Sequence, residues 1–239
     1  MTEKRPWWIL VGGRSRLGRV LAESLAKSER LVLTSSRPWI GEDHWLDELS
    51  IHAQVRTFQW DADDPDLLST MMADMKCLGD AGIILGNAVI VAGTFPRQPL
   101  GSWDPGALEA TWRRNLSFPL LAAQSLGPSL EAGGCLQFLL DSAIHHPFPQ
   151  RLPYSAAKAG LAALVPALAA QWAPRVRVVG HALGTVLPSP DSDPPGLVEN
   201  SLLKRIGEPA DLLRALRYVA ESPYLTGEIL TLDGGSRWR

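Results

Sequence analysis

Tyr154 and Lys158 stand four residues apart in the run Tyr154-Ser-Ala-Ala-Lys158, the spacing that places two side chains on one face of a helix. A phenol beside an ammonium makes a tunable proton donor. The cation favours the phenolate, so the pair is expected to bring the tyrosine pKa down from about 10 toward the range useful for proton transfer. Neither Tyr218 nor Tyr224 has a lysine at that spacing.

A second group of residues is suited to holding phosphate. The apolar run Trp7–Val11 leads into Gly12-Gly13-Arg14-Ser15-Arg16-Leu17-Gly18, which opens a helical pattern. Glycines at a strand-to-helix turn let the backbone approach a pyrophosphate, whose charge then rests on unpaired N–H groups at the helix N-terminus. A tight turn also requires glycine for its own sake. Arg14 and Arg16 favour the anion reading, because two cations beside a positive helix end otherwise repel. At the end of the next apolar run comes Thr34-Ser35-Ser36-Arg37, with no carboxylate before Glu42. An acidic residue there would select NAD, whereas Arg37 with Ser36 suits the 2′-phosphate of NADP. Asp61 ends the third run, where it either accepts a hydrogen bond from an adenine amino group or makes an ordinary strand-end turn.

These residues need elements that bring them together. Seven short apolar runs read as strands: Trp7–Val11, Leu31–Thr34, Val55–Trp60, Gly82–Gly86, Leu136–Leu140, Val176–His181 and Ile229–Leu232. Between them Leu17–Ala26, Ala107–Leu126 and Tyr154–Trp172 carry helical patterns rich in Ala and Leu. The alternation predicts an α/β fold: one Rossmann-type, doubly wound, parallel seven-stranded sheet with helices on both faces, filling all 239 residues as a single domain. Ligands in such folds bind at the carboxyl ends of the strands. The irregular segment from Gly184 to about residue 203 contains Pro188, Pro190, Pro194 and Pro195. It is expected to be free of helix and to serve as a substrate lid, with a solvated surface excursion as the alternative.

Composition narrows the function classes. A net charge of −2 with scattered basic residues argues against a nucleic-acid partner. Met1 to Pro6 is polar and the apolar run after it is only five residues long, so neither a signal peptide nor a membrane segment is expected and the chain reads as cytoplasmic. Cys77 and Cys135 form no Cys-x-x-Cys pair, and His145-His146 reads as surface loop; no disulfide framework or metal site is expected.

Taken together, the Gly-rich turn, Asn87-Ala88, Asn115, Tyr154 with Lys158, and the tail Leu225-Thr-Gly-Glu with Leu232-Asp-Gly-Gly resemble the short-chain dehydrogenases/reductases along nearly the whole chain. The resemblance implies roles. Tyr154 would donate the proton, Lys158 would hold the nicotinamide ribose, and Asn115 would support a water relay. Gly12, Arg14, Ser15, Arg16, Leu17, Gly18, Ser36, Arg37, Asp61 and Asn87 would bind the cofactor. Leu183-Gly184-Thr185-Val186 resembles the family's Pro-Gly turn, where the backbone at Gly184 and Val186 would meet the nicotinamide amide; Leu183 replaces the usual Pro.

Two departures from the common pattern are similar to the pteridine reductases and dihydromonapterin reductases: Arg16 stands where the middle glycine of the turn is usual, and Asp141 where serine is usual. The resemblance implies that Arg16 lies near pyrophosphate and pterin, and that Asp141 joins Tyr154 and Lys158 in proton delivery. A carboxyl group can bind amino and ring nitrogens in ways a hydroxyl cannot. Two alternatives stay open, that Ser142 serves as the usual serine and that Asp141 merely caps a turn. After Asn87-Ala88 the residues read Val89-Ile90-Val91 rather than Ser and an aromatic, so a ring to stack on substrate would come from Phe95, or else from Phe148 or Trp103. The implied activity is NADPH-dependent reduction of a dihydropterin to the tetrahydropterin in a homotetramer; the alternative is a carbonyl reductase of 3-oxoacyl or small ketone substrates.

Overall fold

The computed structural model describes residues 6–39, 44–188 and 194–239. Its strands are β1 (Trp7–Val11), β2 (Leu31–Ser35), β3 (Val55–Gln59), β4 (Leu85–Ile90), β5 (Leu130–Asp141), β6 (Arg177–Leu183) and β7 (Ile229–Leu232). The helices are α1 (Arg16–Leu25), α2 (His44–His52), α3 (Leu67–Asp80), α4 (Pro105–Trp112), α5 (Phe118–Leu126), α6 (Leu152–Trp172), α7 (Pro194–Glu199) and α8 (Pro209–Ala220). All strands pair in parallel in the order β3-β2-β1-β4-β5-β6-β7. The connections reverse direction between β1 and β4, the switch point where such sheets open a crevice.

Both faces of the sheet are covered, and the strand sequences show it. In β1, Trp7, Ile9 and Val11 point into a core shared with α3, α5 and α6, while Trp8 and Leu10 point into a second core shared with α1, α2 and α8. Every residue of β1 is therefore buried, which is why the strand reads as a continuous apolar run instead of an alternating one. α6 is long and apolar enough to cross a membrane by length and composition, yet half of its apolar window is buried inside the fold. It is the crossover helix between β5 and β6, with Leu161, Ala162, Val165 and Ala169 in the core.

Three expectations need correction. The fourth strand is Leu85–Ile90, not Gly82–Gly86. The Gly-bounded run suggested the earlier window, but pairing with β1 continues through Val89 and Ile90. Second, part of the proline-rich segment is helical: α7 begins at Pro194-Pro195, and proline is tolerated in a first turn because its missing N–H has no intrahelical partner there. Residues 189–193, including Pro190, lie outside the described residues. Third, the single helix expected over Ala107–Leu126 is divided by a π-helical turn at Arg113–Ser117, which turns Asn115 fully inward.

The β1–α1 turn depends on two glycines. Gly12 has φ +87°, and a Cβ there would lie 3.0 Å from the Ala92 backbone; a Cβ on Gly18 would lie 2.3 Å from the Gly12 carbonyl oxygen. Backbone atoms are hard to displace. Gly18→Ala is therefore expected to destabilise the protein by about 2–3 kcal/mol, read as a lower urea midpoint with an unchanged m-value; a midpoint equal to that of wild type would contradict the close approach.

Candidate functional site

The carboxyl edge of the sheet carries two cavities. The first, about 680 Å³, is bounded by Gly12, Arg14 and Ser15 after β1, Thr34–Arg37 at the end of β2, Asp61–Asp63 after β3, and Ala92–Thr94 after β4. The second, about 820 Å³, is bounded by Ser142 after β5, Leu183–Val186 at the end of β6, and Leu232, Asp233, Gly234, Ser236 and Arg237 at the end of β7. Neighbouring residues Thr94 and Phe95 line one cavity each.

In the first cavity the Gly12 amide donates to Thr34 Oγ1 at 3.2 Å, binding the turn to β2. Ser15 caps α1 by accepting from the Gly18 amide at 3.0 Å. Arg14 donates to the Pro38 carbonyl at 2.9 Å and its guanidinium lies 5.6 Å from the Trp39 ring. Ser36, Arg37 and Asp61 all reach the wall; Asp61 also accepts from the Asp63 amide at 3.1 Å, the strand-end turn. A nucleotide fits this set: glycines with no room for a Cβ, a helix N-terminus, and four arginines (Arg14, Arg19, Arg37 and Arg114) on the wall.

The reactive cluster is built from β5, α6 and the π-helical turn. Tyr154 donates its hydroxyl proton to Asp141 Oδ2 at 2.6 Å, and Asp141 Oδ1 accepts from the Ala143 amide at 2.8 Å. Lys158 donates to the Leu139 carbonyl at 2.9 Å, with its ammonium 5.9 Å from the Tyr154 ring centre. Asn115 donates to the Thr111 carbonyl at 2.9 Å and to Thr94 Oγ1 at 3.2 Å, and accepts from the Thr94 amide at 3.0 Å. That last bond holds Gly93 so close that a Cβ there would meet Asn115 Oδ1 at 2.7 Å. Phe95 then packs edge-on to Tyr154, with centroids 4.8 Å apart.

The electrostatics reverse one expectation. Burial, then the charge of Asp141 and its hydrogen bond, hold the Tyr154 phenol well above its usual value of 10.0. Burial lowers Lys158 to about 8, with Asp141 opposing. The lysine does not depress the phenol as the spacing suggested, because its ammonium is bonded to a carbonyl while a carboxylate holds the hydroxyl. In this state Tyr154 is a neutral acid with its proton aimed at Asp141.

Most of the sequence-predicted residues converge: Gly12, Arg14, Ser15, Ser36, Arg37 and Asp61 on the first cavity, Phe95, Gly184 and Val186 on the second, and Asn115, Asp141, Tyr154 and Lys158 in the reactive cluster. Asn87 does not. It lies inside β4, paired with Trp8 and well short of the strand's carboxyl end, so Ala92 and Gly93 occupy the place assigned to it. Arg16 lines neither cavity; it donates to the Pro188 carbonyl at 3.1 Å, tying the first turn to the segment after β6. The Leu17 side chain packs on the second core and Gly18 is buried beneath the turn. Of the alternative aromatics, Phe148 lines the substrate-side cavity and Trp103 does not. Sequence reasoning missed Ala92, Gly93, Thr94 and Arg114. The apolar run Val89-Ile90-Val91 ending in Ala92-Gly93 was the available signal for the first three.

Comparison with known proteins agrees with this architecture. A family model described as enoyl-(acyl carrier protein) reductase matches residues 13–237. A short-chain dehydrogenase/reductase, SDRA, from Arabidopsis thaliana is 31% identical over 166 residues, which cover 66% of this chain and 64% of that relative. The 1,6-dihydroxycyclohexa-2,4-diene-1-carboxylate dehydrogenase of Pseudomonas putida is 29% identical and covers 95% of this chain and 91% of its own length. Among solved structures, FolM alternative dihydrofolate reductase 1 from Brucella suis in complex with NADP superposes with a TM-score of 0.86, covering 99% of this chain and 96% of that one at 23% identity. That likeness is one of fold.

The two shifted groups set opposite pH dependences. Between pH about 8 and its ordinary 10.5, Lys158 binds fewer protons folded than unfolded, so its contribution to stability rises with pH in that window. Tyr154 keeps its proton beyond pH 10 when folded, so its contribution falls as pH rises above 10. The difference in unfolding free energy between wild type and Lys158→Met, measured in urea from pH 7 to 10, is expected to move in favour of wild type as pH rises. A difference independent of pH would contradict the depressed lysine.

Proposed function

Because this chain belongs to the short-chain dehydrogenase/reductase family of oxidoreductases, we propose that its reaction is the NADPH-dependent reduction of a C=N bond in a dihydropterin, giving the tetrahydropterin. The observation that carries this reading is the 2.6 Å hydrogen bond from Tyr154 to Asp141. A ketone needs one hydroxyl donor at its oxygen. A pterin presents a ring nitrogen to be protonated together with amino and ring N–H groups to be accepted. Asp141 Oδ1 already accepts from the Ala143 amide and, at 3.5 Å, from Ser142 Oγ, whereas Oδ2 accepts from Tyr154 alone and keeps a lone pair that can take one of those donors while Tyr154 supplies the proton.

A bound nicotinamide supplies the hydride to carbon, and the protein provides the rest. Tyr154 gives its proton to the ring nitrogen, so one C–H and one N–H bond replace the C=N π bond. The resulting phenolate is disfavoured by burial and by Asp141, which favours rapid reprotonation, and Lys158 is the nearby ammonium. Asn115 braces Thr94 and Gly93, and through them Phe95 against Tyr154. Phe95 and Phe148 are 5.9 Å apart on the substrate-side wall and offer an apolar boundary to a flat ring.

Cofactor choice is read from the first cavity. Arg14, Ser36 and Arg37 line it near the end of β2, and Thr34-Ser35-Ser36-Arg37 holds no carboxylate to pair with ribose hydroxyls. This supports NADPH. Arg37→Ser should raise the KM for NADPH about 10- to 100-fold, the loss of a charge-assisted bond to phosphate, and lower the preference over NADH; an unchanged preference would remove Arg37 from the 2′-phosphate site.

One observation favours the carbonyl reductase reading: Ser142, 3.5 Å from Asp141 Oδ1, stands on the wall of the second cavity. The two readings separate by substitution. With a dihydropterin and NADPH, Asp141→Ala is expected to lower kcat about 10²- to 10⁴-fold and Ser142→Ala to leave most of the rate. With an acetoacetyl thioester the carbonyl reading demands the reverse, and that result would overturn the pterin assignment.

A further inference from the structure

The second cavity is lined asymmetrically in charge. Among the described residues, Arg151, Arg205, Arg237 and Arg239 reach its wall, and the carboxylates there are those of Asp211 and Asp233. Asp211 is fully used: Arg205 and Arg214 bond its carboxylate, and it accepts from the Glu208 amide at 2.9 Å. Asp233 folds the tail, accepting from the amides of Gly235 and Arg237 at 2.9 Å each and from Ser236 Oγ at 3.3 Å. Neither carboxylate neutralises Arg237.

Arg237 is nonetheless held firmly. Its Nη1 donates to Thr231 Oγ1 at 2.7 Å and lies 3.4 Å from His145 Nε2, and its carbonyl accepts from His146 Nε2 at 2.7 Å. Trp238 lies 4.9 Å from the guanidinium. The Nε–H is buried and meets no acceptor. Among the described residues, then, a half-buried cation lines the cavity with no carboxylate partner, and a guanidinium in that setting gains most from an anion able to take two of its N–H groups. Ser142, His146 and Arg237 share the wall of this cavity, and Ser142 follows Asp141 directly in the chain; Asp141 and Tyr154 themselves lie outside its lining.

We infer that the substrate carries an anionic group, a carboxylate or a phosphate, on a side chain extending from the reduced ring, and that Arg237 is the specificity-determining residue that binds it. The inference rests on the dihydropterin reading for the identity of the ring, but not for the charge of its side chain. Arg237 acts on binding, not on the proton; its removal changes KM more than kcat.

The test measures KM and kcat for NADPH-dependent reduction by wild type, Arg237→Gln and Arg237→Lys. One substrate set is dihydrofolate (carboxylates), dihydroneopterin phosphate (phosphate) and dihydrobiopterin (uncharged). The other is acetoacetyl-coenzyme A against the uncharged acetoacetyl-N-acetylcysteamine. Within the set that is reduced, Arg237→Gln is expected to raise the anionic-to-neutral KM ratio about 10- to 100-fold, with Arg237→Lys recovering part of it. Whichever pterin anion shows the larger shift identifies carboxylate or phosphate. An unchanged ratio, or anionic and neutral substrates weakened together, would overturn the inference. Reduction confined to the thioesters would defeat the dihydropterin reading while the ratio within that pair still decides Arg237. Turnover of none would overturn both.

Discussion

A parallel sheet covered by helices on both faces leaves its strand ends as the places where polar groups can meet a ligand. In this protein that constraint governs nearly everything at the site. Because all seven strands run the same way, the turns after β1, β2, β3 and β4 surround one cavity and those after β5, β6 and β7 the other. β5 ends in Asp141, and α6 returns from that same edge with Tyr154 in its first turn. Two residues thirteen positions apart thus meet at 2.6 Å without any special loop to join them.

The same burial decides the chemistry. Tyr154, Lys158 and Asn115 are 6%, 5% and 0% exposed, so each polar atom needs a partner inside the protein. The lysine takes the Leu139 carbonyl, the asparagine takes Thr111 and Thr94, and the tyrosine takes Asp141. Low solvent access strengthens these bonds and penalises a phenolate beside a carboxylate. The outcome is a protonated acid at a site where a reducible ring nitrogen needs one.

Much of this was legible in the residues, for physical reasons that also mark where legibility stopped. The Tyr154/Lys158 spacing reports a helix face, and the glycines at 12 and 18 report a turn with no room for a Cβ; both are local facts. The position of β4 was not local. Gly82 to Gly86 looks like a bounded apolar run, but partner pairing with β1 places Asn87 in mid-strand and moves the ligand-facing residues to Ala92 and Gly93. The direction of the Tyr154 shift was likewise hidden, because it depends on which oxygen the lysine ammonium faces and not on its distance along the helix. Arg16, apparently a phosphate ligand by position, instead bonds Pro188 from far along the chain. Pro194-Pro195 begins a helix where prolines had argued against one.

Burial and Asp141 together keep the proton on Tyr154, and the ionisation of Tyr154 tests this most directly. The chain has 3 tyrosines, and Tyr218 and Tyr224 are exposed, so ring-carbon NMR of a tyrosine-labelled sample can follow Tyr154 as the resonance that differs. Tyr154 is expected to stay protonated beyond pH 10 in the wild type and to lose its proton at lower pH in Asp141→Asn. Identical titrations in the two proteins, or a wild-type Tyr154 that ionises below pH 10, would contradict it.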